Sequence, residues 1–187
     1  MKKVLIALGV VALVLIILVI ACISQYNGLV KAELSVDGSW AQVEIQLERR
    51  SALVPDLVKI ANKYAAHEKE VIQNVSDARS KLAGAANTEE ATVAAGELDG
   101  AISRLLVVME AYPNLKADGT YSKLMDEMAG TENRIAVARK DFNDEIGDFN
   151  KKVRTFPGNI FAGMFGFEKR SFYEAPKEDL EKPEYDL

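Results

Sequence analysis

Residues 4–23, VLIALGVVALVLIILVIACI, carry no charged side chain, and fifteen of the twenty are Val, Leu or Ile. As a helix this run is roughly 30 Å long, the thickness of a bilayer's hydrocarbon core. At roughly −0.3 to −0.6 kcal/mol per aliphatic residue, insertion is favoured by about 5–9 kcal/mol. The run exceeds the apolar stretch of a cleaved signal peptide, about 7–15 residues, so a retained transmembrane anchor over 1–25 is expected. The competing reading is a lipidated Cys22, because Val19-Ile20-Ala21-Cys22 loosely follows a lipobox. Both readings tether the chain to a membrane.

Beyond the anchor the pattern acquires a period. Trp40, Leu47, Val54, Ala61, Glu68, Val75 and Leu82 are spaced by sevens, and Val43, Arg50, Leu57, Tyr64, Val71 and Ala78 form the second series. Eleven of these thirteen positions are apolar or aromatic. That is a heptad stripe, and its phase survives Pro55. One helix from about Trp40 to Leu82, kinked near Leu53–Pro55, is therefore expected, with a break at Pro55 as the alternative. Gly84 offers a left-handed cap, and Asn87 with Glu90 has the spacing of a capping box. A second helix is expected over Glu89–Tyr112 and ends before Pro113. A third, over Tyr121–Arg154, repeats the heptads through Tyr121, Met128, Ile135, Phe142 and Phe149. No alternation marks a strand. The fold class is all-α: a transmembrane helix followed by an antiparallel, coiled-coil-like bundle over 26–155. A Phe/Gly-rich segment, 156–173, and an acidic, disordered tail, 174–187, complete the chain.

Charge and chemistry narrow the function. A net charge of −5 argues against nucleic acid as a partner. One cysteine and one histidine leave no cysteine zinc site and no paired Glu-x-x-His diiron site. No Walker, Gly-x-Gly-x-x-Gly or Gly-x-Ser-x-Gly motif occurs. No catalytic, metal or cofactor residue is assigned. His67 beside Glu68 reads as a solvated pair rather than a proton sensor. Arg50 and Glu68 fall on core-series positions, where an unpaired charge is costly. With Arg79, Glu110, Glu132 and Arg139 they are candidates for a polar network inside the bundle, read first as register-fixing ion pairs.

Several stretches taken together resemble the bacterial LemA family. They are YNGLV at 26–30, SWAQVEIQLERRSALVPDLV at 39–58, YAAHE at 64–68, EAYPNLKA at 110–117, ENRIAVARKDFN at 132–143 and FNKKVRTFPGNIFAGMFGF at 149–167. The resemblance implies one membrane span and an all-helical domain, and no defined reaction. Phe142-Asn143 stands where Tyr-Asn is expected, removing a hydroxyl from a core position.

The remaining question is FPGNIFAGMFGF, 156–167. Its Phe156, Ile160, Phe161, Met164, Phe165 and Phe167 form a candidate interaction patch, as a cap on the bundle, a contact with a subunit or partner, or a surface in the bilayer interface. An outward first helix of roughly 65 Å, a return of about 36 Å and a third helix of about 51 Å place it at the distal end. A reversal at Pro55 brings it back to the membrane. Tyr26 sits at the right depth for an interfacial aromatic, whereas Trp40, about 26 Å along the helix, reads as a core anchor.

The expected function is a non-enzymatic, membrane-anchored scaffold or adaptor of the bacterial envelope, self-associating and contacting other membrane proteins. Alternatives are an accessory subunit or regulator of a membrane protease or other membrane enzyme, and a membrane-remodelling protein touching lipid through the Phe-rich segment. Lys2, Lys3 and the α-amino group before the span, against Lys31 after it, place the N-terminus in the cytoplasm and the domain outside.

Overall fold

The computed structural model describes residues 2–116 and 118–174. The rest of the expected acidic tail, 175–187, lies outside the described residues. Among the described residues six helices follow in order: α1 Lys2–Tyr64, α2 Lys69–Ala83, α3 Thr88–Met109, α4 Pro113–Lys116, α5 Gly119–Arg154 and α6 Gly158–Phe165. Among the described residues there is no strand.

Helix α1 begins in the apolar run and continues without interruption through Pro55 to Tyr64. A proline in a helix leaves the carbonyl four residues earlier without its usual donor. Here that carbonyl belongs to Ser51, and Arg79 Nε of α2 donates to it at 3.1 Å. A side chain from the neighbouring helix thus replaces the missing backbone donor, and α1 continues as helix to Tyr64.

The expectation of one helix to Leu82 is corrected. α1 ends at Tyr64, and the chain reverses through Ala65–Glu68 before α2 starts. Glu68 N donates to the Ala65 carbonyl at 3.0 Å, closing the turn. Ala-Ala-His-Glu contains no helix breaker, so packing decides. A straight continuation would leave Ile72, Val75 and Ala78 in water. The reversal buries them in one cluster with Val54, Leu57, Ile60 and Ala61 of α1. Burying each large aliphatic stabilises by about 1.5–3 kcal/mol, more than a broken turn costs. Gly84 is also corrected: it ends α2 in a right-handed conformation, φ −95°.

The described parts of the chain form two compact units. The larger comprises the described parts of Trp40–Lys140 with Tyr173 and Glu174. Here α1, α2, α3 and the first part of α5 make a four-helix bundle. Asp118 pairs with Tyr64 and Glu132 with Arg50, so α5 runs antiparallel to α1. Its core joins Leu98, Ile102, Leu105 and Met109 of α3, and Leu124 and Met128 of α5, to the α1–α2 cluster. The turn into α3 is a capping box: Asn87 Oδ1 accepts from Glu90 N at 2.9 Å, and Glu90 reaches back to accept from Ala86 N at 2.9 Å.

The smaller unit comprises the described parts of Met1–Ser39 with Asp141–Phe172. Leu29, Ala32 and Val36 form the buried stripe of α1, and Phe142, Ile146 and Phe149 that of α5. The strand-free segment after α6 is fastened by Arg170. Its backbone is held from both sides by the Asn150 amide, at 2.8 Å each way. Its guanidinium pairs with Glu33 at 3.0 Å and Asp37 at 3.6 Å.

Candidate functional site

In the smaller unit, the Phe-rich segment builds one end. Phe156 and Pro157 lead from α5 into α6, an eight-residue helix. Gly158 and Ala162 are its buried positions. A Cβ on Gly158 would lie 2.2 Å from the Lys152 carbonyl oxygen, so only glycine lets α6 approach the end of α5. Gly166 closes the helix in the left-handed region at φ +77°. Opposite the buried positions, Ile160 and Met164 are 53% and 65% exposed, and Phe156 is 80% exposed. Phe161 and Phe167 are partly buried. The Tyr26 ring meets Phe165 edge-on at 4.9 Å and Phe167 at 6.0 Å. The patch therefore sits beside the first turn of α1 after the apolar run. Its expected distal placement is corrected by these ring contacts with Tyr26.

In the larger unit, Arg50 is 8% exposed. Its Nη1 lies 2.8 Å from Asp99 Oδ1 of α3 and hydrogen-bonds Glu132 of α5. Arg139 Nη2 reaches Asp99 Oδ2 at 3.5 Å and lies over the Tyr173 ring, 4.7 Å from its centre. The Arg50–Asp99 approach is close but not aligned as a hydrogen bond, and Asp99 Oδ1, Arg50 Nε and Arg139 Nε are buried without hydrogen-bond partners. Burial pushes the Asp99 carboxyl up, opposed by Arg50 and Arg139. Two arginines and two carboxylates thus bridge three helices.

Of the six residues considered for this network, the structure gathers Arg50, Glu132 and Arg139. Glu68 instead accepts from the Tyr112 hydroxyl at 3.2 Å, Arg79 serves Ser51, and Glu110 is exposed. His67 is exposed in the reversal. Asp99 and Tyr173 were not expected. Asp99 had a legible signal: with Ala95 and Ile102 it shares the i, i+4, i+7 face of α3, both neighbours being 1% exposed. Tyr173 follows the last helix and belongs to no periodic pattern.

A second polar knot lies at the far end of α1. Asp118 accepts from the Tyr64 hydroxyl at 2.7 Å, the Thr120 backbone at 2.9 Å and Lys63 at 3.3 Å. These donors, Tyr64 first, hold its carboxyl well below the usual carboxylate range. Among the described residues, no group of three or more His, Cys, Asp or Glu side chains is arranged to hold a metal ion.

Among the described residues one helix, with a window of mean hydropathy 3.4 and none of that window buried, is long and apolar enough to cross a membrane. Its continuation enters an antiparallel bundle in which Arg50 and Arg139 meet Asp99 and Glu132. These features define a membrane-associated helical protein with one apolar span. The LemA family model matches residues 39–186, and the chain belongs to the LemA family. It is 26% identical over 195 residues to magnetosome protein MamQ 2 of Paramagnetospirillum magneticum, covering 90% of this chain and 72% of that one. Magnetosome protein MamQ of Magnetospirillum gryphiswaldense is 26% identical over 199 residues, 92% of this chain and 73% of its own. Protein LemA of Metamycoplasma hominis is 22% identical over 154 residues, 82% and 70% of the two chains.

Proposed function

We propose that the protein is a non-enzymatic scaffold or adaptor of the bacterial envelope, held by a retained span over residues 4–23. It associates with further copies and recruits other membrane proteins. The observation that carries this reading is the continuity of α1. The helix that crosses the bilayer is the helix that supplies Val54, Leu57 and Ile60 to the bundle core, with no linker between. Arg50 and Arg139 are paired with carboxylates, and Asp118 with Tyr64 and Lys63. Two relatives are named as magnetosome proteins, and this chain is likewise read as a component of a larger assembly. The N-terminus is cytoplasmic, from Lys2 and Lys3 against Lys31.

The test is photocrosslinking of the full chain in its own membrane, with the crosslinker at Val93 or Val107. Both are exposed on α3, at 58% and 68%. The reading expects adducts to a second copy and to at least one other membrane protein. Self-adducts alone would discard the adaptor role, and no adducts would discard the scaffold. A Cys22→Ser, Ser122→Cys variant treated with an impermeant maleimide in right-side-out vesicles checks orientation. Labelling of intact vesicles is expected; labelling only after lysis reverses it.

A further inference from the structure

The geometry points to α6 as a second membrane contact: a short amphipathic helix lying in the headgroup region of the bilayer that α1 spans. The inference rests on residues 4–23 being a span. Position comes first. Ile23 ends the apolar run, and Tyr26 is three residues further, about 4.5 Å along the helix. An aromatic there is at the membrane–water boundary, where Tyr and Trp are enriched. Phe165 and Phe167 pack on that same Tyr26 ring, which fixes α6 at the same depth.

Facing comes second. Gly158 and Ala162 turn inward, and the close approach of Gly158 to the Lys152 carbonyl sets the rotation of the helix. Ile160 and Met164 then point away from the unit, and Phe156, in the turn before α6, is exposed as well. Two large apolar side chains standing free on the outer face of α6, with an exposed Phe156 just before the helix, suit a lipid surface.

Charge selects the surface. Lys151, Lys152 and Arg154 lie in the last turn of α5, and Lys169 follows α6; all are exposed. Against them stand Asp148, one turn earlier on α5, and Glu168, while Arg170 is already paired with Glu33 and Asp37. Exposed basic residues immediately flanking an apolar helix, in a chain of net charge −5, match anionic lipid headgroups. Eight residues would bind membranes weakly alone. The span holds α6 at the bilayer already, so the second contact is intramolecular in effect.

The test uses the full chain reconstituted into phosphatidylcholine vesicles with and without phosphatidylglycerol. In a Cys22→Ser background, Ile160→Cys or Met164→Cys carries an environment-sensitive fluorophore, with Val93→Cys as the control. The inference expects blue-shifted emission at the α6 positions, quenching by brominated lipid and loss of quenching by aqueous iodide, each stronger with phosphatidylglycerol. The control should remain open to iodide. Charge reversal at Lys151, Lys152 and Arg154 should remove the phosphatidylglycerol dependence. Iodide-accessible labels untouched by bromolipid would overturn the inference. So would protection that appears only at high protein-to-lipid ratio, which would assign the face to a second copy. Failure of the span reading shows separately, as protein extracted from the vesicles by carbonate.

Discussion

At the scale of single residues, the Pro55–Arg79 relation is the most specific. Proline costs a helix interior about 3 kcal/mol, in part through the carbonyl it strands. Arg79 meets that carbonyl. Arg79→Met should therefore destabilise the wild type by about 1 kcal/mol, the scale of one charge-assisted hydrogen bond at an exposed site. In a Pro55→Ala background the Ser51 carbonyl regains its backbone donor, and the same change should cost almost nothing. Chemical denaturation of the four proteins measures the coupling, and purely additive effects would remove the explanation. Arg50 gives a larger effect. Arg50→Ala leaves Asp99 and Glu132 facing each other beside Arg139, and about 3–5 kcal/mol should be lost. Arg50→Met with Asp99→Leu should recover most of it, because apolar side chains of similar size can replace a buried ion pair.

Elements show where sequence patterns carry structure and where they stop. Heptad spacing reported that Pro55 does not end α1, because phase is lost when a helix restarts at random. The same spacing was silent about Ala65–Glu68. There the connection keeps Val75 and Ala78 inward, so the series at sevens reads through a reversal as if through a straight helix. Local chemistry could not help, since Ala-Ala-His-Glu favours helix. Core residues were legible because burial is written in periodicity; Phe142 and Phe149 are 5% and 0% exposed. The place of Asp99 on the buried face of α3 was legible in its spacing, but its role as a partner emerges only once Arg50 is seen opposite. The α5–α6 junction gives a direct test. Gly158→Ala pushes a methyl group into the Lys152 carbonyl. It should destabilise by about 1–3 kcal/mol, as overpacking does. Hydrogen exchange should rise in α6 while the α3 amides stay protected. The Asp118 knot joins the end of α1 to the start of α5. Its carboxyl is depressed, so its contribution is fully present above the unfolded value near 3.9 and is lost as pH falls below that. Wild type should lose more stability between pH 7 and pH 3 than Asp118→Asn, read as the difference in Tm. Equal losses would mean the Tyr64 and Lys63 contacts do not form in solution.

For the molecule as a whole, the two ends of α1 obey different rules. Residues of the apolar run are exposed on every face, from Leu5 at 67% to Ile23 at 55%, and lipid is the solvent they meet. From Leu29 onward the same helix is read by neighbours on one side only, with Leu29, Val36, Val43 and Leu47 at 2%, 2%, 0% and 4% exposure. The first part is therefore specified by length and hydrophobicity, the second by side-chain shape. Replacing residues 4–23 with another uncharged twenty-residue Leu/Ala sequence should leave Tm in detergent unchanged, and crosslinks from Val93 and Val107 should survive. Moving the same helix out of register within the bundle should not be tolerated. One residue inserted after Gln46 turns everything beyond it by about 100° against α3 and α5. That removes Leu47, Val54 and Leu57 from the core and should prevent folding. Loss of the Val93 crosslinks on the span replacement alone, with Tm unchanged, would show that association is encoded in the lipid-facing side chains, and the scaffold would then have to be sought within the bilayer.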